Sequence, residues 1–198
     1  MEIVKGRGSL SEDFSHLLIL SAPTLFATVF GEGFKEIIQK IFKERRNLFS
    51  FEHTYFLKMD GKIAGMVLSY DWTIKRREEI NTGRALFKHM GLKLIKRFPL
   101  LLKLNGVVGI LNRGEYYISN IAVYPEYRGM GIGTTLLSFV EESMKSKNIK
   151  KLTLDVETKN EGAIRLYKRL GFIILRKVST KLKGITFEFF RMEKIKAK

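Results

Sequence analysis

The chain has 198 residues, 45% of them hydrophobic, and no cysteine. That length allows one domain with a substantial core, and the missing cysteines exclude disulfides and thiolate chemistry. Net charge is +16 but unevenly placed: residues 1–71 carry nine basic and nine acidic side chains, 72–113 ten and two, and 114–198 seventeen and nine.

No apolar run approaches ~18 residues, so no membrane-spanning helix is expected. The N-terminus lacks a basic-then-apolar signal pattern, and a cytoplasmic location is expected. The positive charge has three readings. It is an ordinary lysine-rich surface, a field that draws an anionic cofactor, or a nucleic-acid or membrane contact.

In chain order, Ile3 to Arg7 reads as an edge strand. Ser11 is placed to cap a helix with Glu12 and Asp13 in its first turn. Pro23 ends or redirects that helix. Gly33 to Arg46 spaces Phe34, Ile37, Ile38, Ile41 and Phe42 along one helical face, with Arg45 and Arg46 at the C-terminal end. Thr54 to Lys58 and Lys62 to Tyr70 flank Asp60-Gly61, a hairpin signal. Strict alternation puts Ile63, Gly65, Val67 and Ser69 on one face.

Trp72 to Gly114 is read as a basic helical excursion over the active-site side. A helix over Glu78 to Phe98 is predicted, with Ile80, Phe87, Met90, Leu94 and Phe98 inward and Pro99 at its end. Tyr116 to Val123 is the central strand. Ile132 to Met144 is a helix burying Leu136, Leu137, Val140 and Met144. Lys151 to Val156 alternates as a strand. Asn160 to Leu170 is a helix closed by Gly171. Phe172 to Val178 and Thr186 to Met192 are two closing strands, and Lys194 to Lys198 a frayed tail.

The most informative stretch is Ile121-Ala-Val-Tyr-Pro-Glu-Tyr-Arg128-Gly129-Met130-Gly131-Ile132-Gly133-Thr134. A strand, a turn, an Arg and alternating glycines lead into a helix. Glycines let backbone N–H groups approach a ligand, and the helix N-terminus favours anions. A Walker loop would need Lys before Thr134, where Gly133 stands. The dinucleotide GxGxxG would need Gly at 134 or 136, which hold Thr134 and Leu136.

A second motif follows: Asn160-Glu-Gly-Ala163-Ile-Arg-Leu166-Tyr167-Lys-Arg-Leu170-Gly171-Phe172. Together the two segments resemble the GNAT N-acetyltransferase superfamily. The first matches its Arg/Gln-x-x-Gly-x-Gly/Ala loop at Arg128, Gly131 and Gly133. The second matches its Asn-x-x-Ala-x-x-Leu-Tyr-x-x-x-Gly-Phe helix. The likeness is strong over residues 115–175 and thin before them.

The resemblance implies an α/β fold: a mixed, mostly antiparallel twisted sheet with helices on both faces. A splayed parallel strand pair forms the CoA cleft. One domain over residues 1–198 is expected, comprising the N-terminal helices and hairpin, the excursion, and an acetyl-CoA-binding half from residue 114. The implied activity is direct transfer of acetyl from acetyl-CoA to a primary amine on a peptide N-terminus, a lysine or a small metabolite. Neither Ser119 nor Ser138 has a partner pattern for an acyl-enzyme. The implied phosphate grip is Arg128, Gly129, Met130, Gly131, Ile132, Gly133 and Thr134. Ile121, Ala122 and Val123 would pair with the pantetheine arm, and a strand N–H at Ala122 or Val123 would bind the acetyl oxygen. Asn160 caps its helix, bonds pantetheine, or both.

Tyr167 corresponds to the tyrosine that protonates the departing thiolate. A phenol, with pKa near ~10, suits that role. The base candidates are Glu115, Asp155 and Glu157. Some peptide-acetylating relatives carry a functional acid at the place of Asp155. His16, His53 and His89 show no metal-ligand spacing, so no metal is expected. The protein would be a monomer or homodimer. The second reading is a cofactor-binding regulator or nucleic-acid module using 72–113. A third is a membrane-surface role for the Glu78–Phe98 helix.

Overall fold

The computed structural model describes residues 1–146 and 149–195, without the side chains of residues 145 and 146. Its seven strands are β1 (Glu2–Lys5), β2 (Thr54–Met59), β3 (Lys62–Asp71), β4 (Glu115–Val123), β5 (Lys151–Glu157), β6 (Ile173–Leu182) and β7 (Ile185–Ile195). They form one sheet in the order β1-β2-β3-β4-β5-β7-β6, antiparallel except at β4–β5.

Helices cover both faces. On one face lie α1 (Ser11–Ser21), α2 (Pro23–Phe30) and α3 (Phe34–Lys43), with α4 (Trp72–Met90) and α5 (Leu92–Asn105) beside them. Phe14, Phe42, Phe56, Met66 and Leu68 anchor that core. On the other face, α6 (Ile132–Ser146) and α7 (Glu161–Arg169) bury Leu136, Leu137, Val140, Met144 and Ile164 against Val67, Ile118 and Leu154. Each such side chain contributes about 1.5–3 kcal/mol. The mixed, mostly antiparallel sheet with its parallel pair and two helical layers is the architecture expected from the sequence.

Several local expectations change. Ser11 is not a cap: a 3-10 turn, Gly8–Leu10, runs straight into α1, and Ser11 is buried in its first turn. Pro23 opens α2 rather than merely ending α1, since its missing N–H costs nothing at a helix start. The two helical segments meet at 102°. Helix α3 stops at Lys43, so Arg45 and Arg46 lie beyond it. In the β2–β3 hairpin Leu57 pairs with Gly65 but Lys58 with Ile63. The extra residue, Ala64, shifts the pleat. Ile63 therefore packs with Met66 on one face while Val67 packs on the other.

The excursion departs most. Helix α4 begins at Trp72 because the Asp71 carboxylate accepts from Ile74 N–H at 2.9 Å, an N-cap. It ends at Gly91, whose φ of 57° suits glycine. Pro99 then lies inside α5 rather than at a helix end, on an exposed turn; proline is tolerated there because a carbonyl that loses its helical partner on the solvent side of a helix can turn to water. Met90 and Leu94 are buried as expected, but Ile80, Phe87 and Phe98 are 67%, 52% and 54% exposed. The closing strands also run longer than expected, joined by Lys183-Gly184 with positive φ at both. Lys194 and Ile195 belong to β7, and 196–198 fall outside the described residues.

Candidate active site

Strands β4 and β5 pair over only four positions, from Glu115↔Lys151 to Ile118↔Leu154. Beyond that point the two strands no longer pair with each other, β4 running on to Val123 and β5 to Glu157, so the sheet forks. A bulge marks the start of the fork. Leu68 pairs with Asn120 and Ser69 with Ile118, leaving Ser119 as the extra residue. The bulge re-aims β4 toward the phosphate-type loop.

A cavity of about 240 Å³ occupies the fork. Its walls are Tyr117 to Ile121 of β4 and Leu154 to Glu157 of β5, with Tyr167 and Ala163 from α7. The α1–α2 corner and Val108 close the other side. Ser119 Oγ donates to Asn120 Oδ1 at 2.9 Å, and Asn120 Nδ2 donates to Ser21 Oγ at 2.8 Å. That chain ties the bulge to the α1 terminus. No sequence pattern signals this long-range link.

Farther along β4 comes the glycine loop. Gly129 and Gly131 have φ of 81° and 80°, and a Cβ built on either meets nothing within 4 Å. The backbone there is turned outward into open space. From Gly129 to Thr134 the N–H groups find no acceptor among the described residues. They include the first turn of α6, where unpaired donors and the dipole favour an anion. Arg128 is exposed, with no acidic partner among the described residues. Met130 is 46% exposed, whereas the Ile132 side chain is buried and offers only its backbone. Gly133 has a different constraint: a Cβ there would lie 3.0 Å from Leu166 Cδ2, so it lets α7 approach α6. This donor-rich, open cradle fits a pyrophosphate. Ala122 and Val123 connect cavity and loop but do not line the cavity, whose β4 wall ends at Ile121.

On α7, Asn160 Oδ1 accepts from Ala163 N–H at 3.2 Å, so it is an N-cap, and the same residue borders the cavity. Tyr167 is 5% exposed, and its hydroxyl makes no hydrogen bond among the described residues. Burial alone pushes its phenol above the ordinary value, so it stays protonated near neutrality.

The three acidic candidates separate. Glu115 is buried away from the cavity: Asn112 N–H and Nδ2 donate to it at 2.9 and 3.1 Å, and Arg191 Nη2 lies at 3.5 Å. Asp155 lines the cavity, but its Oδ2 accepts from Gly109 N–H at 2.8 Å, Tyr117 Oη at 3.0 Å and Arg191 Nη1 at 3.0 Å. Glu157 is half-buried, and burial raises its pKa above the usual carboxylate value, with Lys159 opposing. It also borders a second cavity of about 300 Å³, with Thr24, Lys159, Thr186 and Glu188. Among the described residues no cluster of three or more His, Asp or Glu could hold a metal. His53 instead pairs with buried Glu78 at 2.6 Å and His89 with Glu44 at 2.8 Å.

A forked α/β sheet with a glycine-rich anion cradle at one end and a buried tyrosine at the other defines a CoA-type acyl-transfer fold. The comparisons agree. A profile of the Acetyltransferase (GNAT) family matches residues 23–172, and the chain belongs to that family. An N-alpha-acetyltransferase of Sulfurisphaera tokodaii is 30% identical over 129 residues, 64% of this chain and 60% of that protein. A putative ribosomal protein bS18-alanine N-acetyltransferase of Bacillus subtilis is 44% identical over 54 residues, 27% of this chain and 36% of its own length. The matches thus span under two thirds of these relatives. Among solved structures, an N-acetyltransferase from Staphylococcus aureus Mu50 superposes with TM-score 0.68 at 23% identity, covering 98% of this chain and 100% of that one.

Proposed function

We infer that this protein is an acetyl-CoA-dependent N-acetyltransferase acting on the α-amine of a peptide or protein N-terminus. The observation carrying the reading is Glu157, the residue shared by the two cavities. One cavity sits in the fork beside Tyr167, where the family places the thioester end of its co-substrate. The other opens on the far side of the same carboxylate, a route for an incoming amine. Relatives named for N-terminal and ribosomal-protein-alanine acetylation favour an α-amine over a lysine or a metabolite.

Acetyl-CoA supplies the activated acetyl group. Arg128 and the N–H groups from Gly129 to Thr134 hold its phosphates, and Ile121 to Val123 offer a strand edge to its arm. Ala122 or Val123 N–H binds the acetyl oxygen. Glu157 takes the proton that the amine must lose, directly or through water, and burial, by raising its pKa, makes it a stronger base than an exposed glutamate. The Tyr167 hydroxyl gives its proton to the departing sulfur. Asn160 Nδ2 faces the arm while Oδ1 caps α7. Asp155, in the cavity wall, and Glu115, away from it, are both engaged with Arg191 and brace the strands instead of moving protons.

The test offers acetyl-CoA with three peptides: free N-terminus, blocked N-terminus, and blocked N-terminus with an internal lysine. Mass spectrometry that places one acetyl on the α-amine of the first alone supports the reading. Acetylation of the lysine peptide overturns the α-amine assignment, and no product from any peptide overturns the acceptor class.

A further inference from the structure

Among the described residues, six of the fourteen exposed large hydrophobic side chains lie between Trp72 and Asn105. They are Ile80, Phe87, Leu92, Ile95, Phe98 and Leu102, and four of them belong to α5. At 100° per residue, Leu92, Ile95, Pro99 and Leu102 fall together on the outward side of that helix. Leu94, Leu101 and Leu104 point inward to the core. The outward face is therefore the less expected one: a helix docked on a soluble domain normally shows water its polar side.

The charge around this stripe is one-sided. Helix α5 contains Lys93, Lys96, Arg97 and Lys103 and no acidic residue. Arg97 turns to the protein and donates to Thr28 O at 3.2 Å. Lys93, Lys96 and Lys103 are exposed and form no ion pair among the described residues. Lys96 and Lys103 flank the stripe on one side, whereas Lys93 falls on nearly the opposite side of the helix. Long lysines beside an apolar stripe can hold their ammonium groups at a charged boundary while the stripe enters the apolar phase.

We propose that the outward face of α5 docks on an anionic lipid surface, with Leu92, Ile95, Phe98 and Leu102 entering the headgroup boundary and Lys96 and Lys103 meeting lipid phosphates. A second copy of the chain fits less well, because mating two such faces brings four lysines together, none of them in an ion pair among the described residues. A nucleic acid would use the lysines but gains little from four exposed aliphatic and phenyl side chains. The geometry also ties this face to the cavity. Helix α5 packs on α2, and the chain leaving α5 supplies Val108 to the cavity wall. A docked α5 holds the acceptor route close to the bilayer.

The test is co-sedimentation of the full chain with phosphatidylglycerol–phosphatidylcholine vesicles and with phosphatidylcholine vesicles. Partition onto the anionic vesicles alone, weakened by high salt, is the expected result. Ile95→Asp with Leu102→Asp lowers that partition by at least ~10-fold. Both side chains are exposed, so acetyl-CoA binding persists in the double variant. If that variant loses acetyl-CoA binding, Lys96→Gln with Lys103→Gln takes its place, and the loss expected is roughly thirtyfold. Absence of anionic-vesicle binding, or binding that survives either substitution set in a folded protein, overturns the proposal. Self-association abolished by the double variant without vesicle binding gives the face to a second copy and overturns it too.

Discussion

Arg191 and Asp155 stand directly opposite each other in the β5–β7 register, with Nη1 3.0 Å from Oδ2. Their side chains are 6% and 1% exposed. The same guanidinium reaches Glu115 Oε2 at 3.5 Å, donates to Ile110 O, and lies over the Tyr117 ring at 5.3 Å. One cation thus joins β4, β5, β7 and the segment after α5 beneath the cavity. Removing it leaves two carboxylates buried without their cation. Arg191→Met is expected to cost about 3–5 kcal/mol in chemical denaturation. Arg191→Lys restores little, because a single ammonium cannot reproduce the planar fork that serves three acceptors. Wild-type stability in the Met variant would show the network to be dispensable.

Glu157 links activity and stability with opposite signs. Its folded pKa is raised by burial above the ordinary ~4.3 of a glutamate. Its contribution to stability is therefore full below the unfolded value and is lost as pH rises through the folded value. At neutral pH the ionised group costs stability, and it is this ionised form that the proposed base role requires. Glu157→Gln is expected to lower kcat by roughly 10²–10⁴-fold and to remove the acid limb of the pH–rate profile. The same change should leave thermal stability at neutral pH equal or higher. A variant with an intact acid limb would pass the base role to another group.

The fold of the second half was legible because its constraints are local in the chain. Residues 121–134 run from strand through loop to helix, residues 160–172 from helix cap to closing glycine, and the two segments follow β4 and β5, the strands that part at the fork. What stayed hidden is long-range. Arg191 looked like one more basic residue in a closing strand, since its partners lie 36 and 76 positions away. The Ser119 bulge has no glycine to announce it. Glu115 and Asp155 read as base candidates because their position on the strands was clear and their common cation was not. In the excursion the helical period was correct, but its phase was taken from the large apolar residues. Burial follows Glu78, Thr82, Ala85, Leu86 and Met90 instead, with Glu78 carried inside by His53. Asp71 was a readable cap that the run from Trp72 obscured.

Tyr167 gives a sharp separation of binding from chemistry. Its ring packs against Phe172 with centroids 5.7 Å apart, and its hydroxyl makes no structural hydrogen bond among the described residues. Tyr167→Phe keeps the packing and removes only the proton donor. Turnover is expected to fall about 10²-fold, with the acetyl-CoA dissociation constant from calorimetry unchanged. A joint loss of turnover and affinity would make Tyr167 a binding residue, and unchanged turnover would remove it as the acid.

Gly65 tests whether the strand beside the fork must keep its spacing. A Cβ at this position would sit 2.7 Å from the Ala122 carbonyl oxygen, 3.2 Å from Ile132 Cγ2 and 3.3 Å from Val123 Cγ2. The first contact is with backbone, so β4 itself must shift. Ala122 and Val123 are the residues expected to border the pantetheine arm, and Ile132 opens α6, whose N-terminus is proposed to hold the phosphates. Gly65→Ala is expected to destabilise by about 1–3 kcal/mol and to weaken acetyl-CoA binding as well. Gly61→Ala is the control. Its Cβ meets nothing within 4 Å, yet its φ of 78° strains any alanine, at about 1–2 kcal/mol. Both variants lose stability for backbone reasons, but only Gly65→Ala moves the strand beside the fork. Calorimetric titration of acetyl-CoA into both, at a temperature where each is folded, separates the two effects. Equal affinities would mean that β4 absorbs the extra methyl without disturbing the cleft, and that Ala122 and Val123 lie outside the cofactor site.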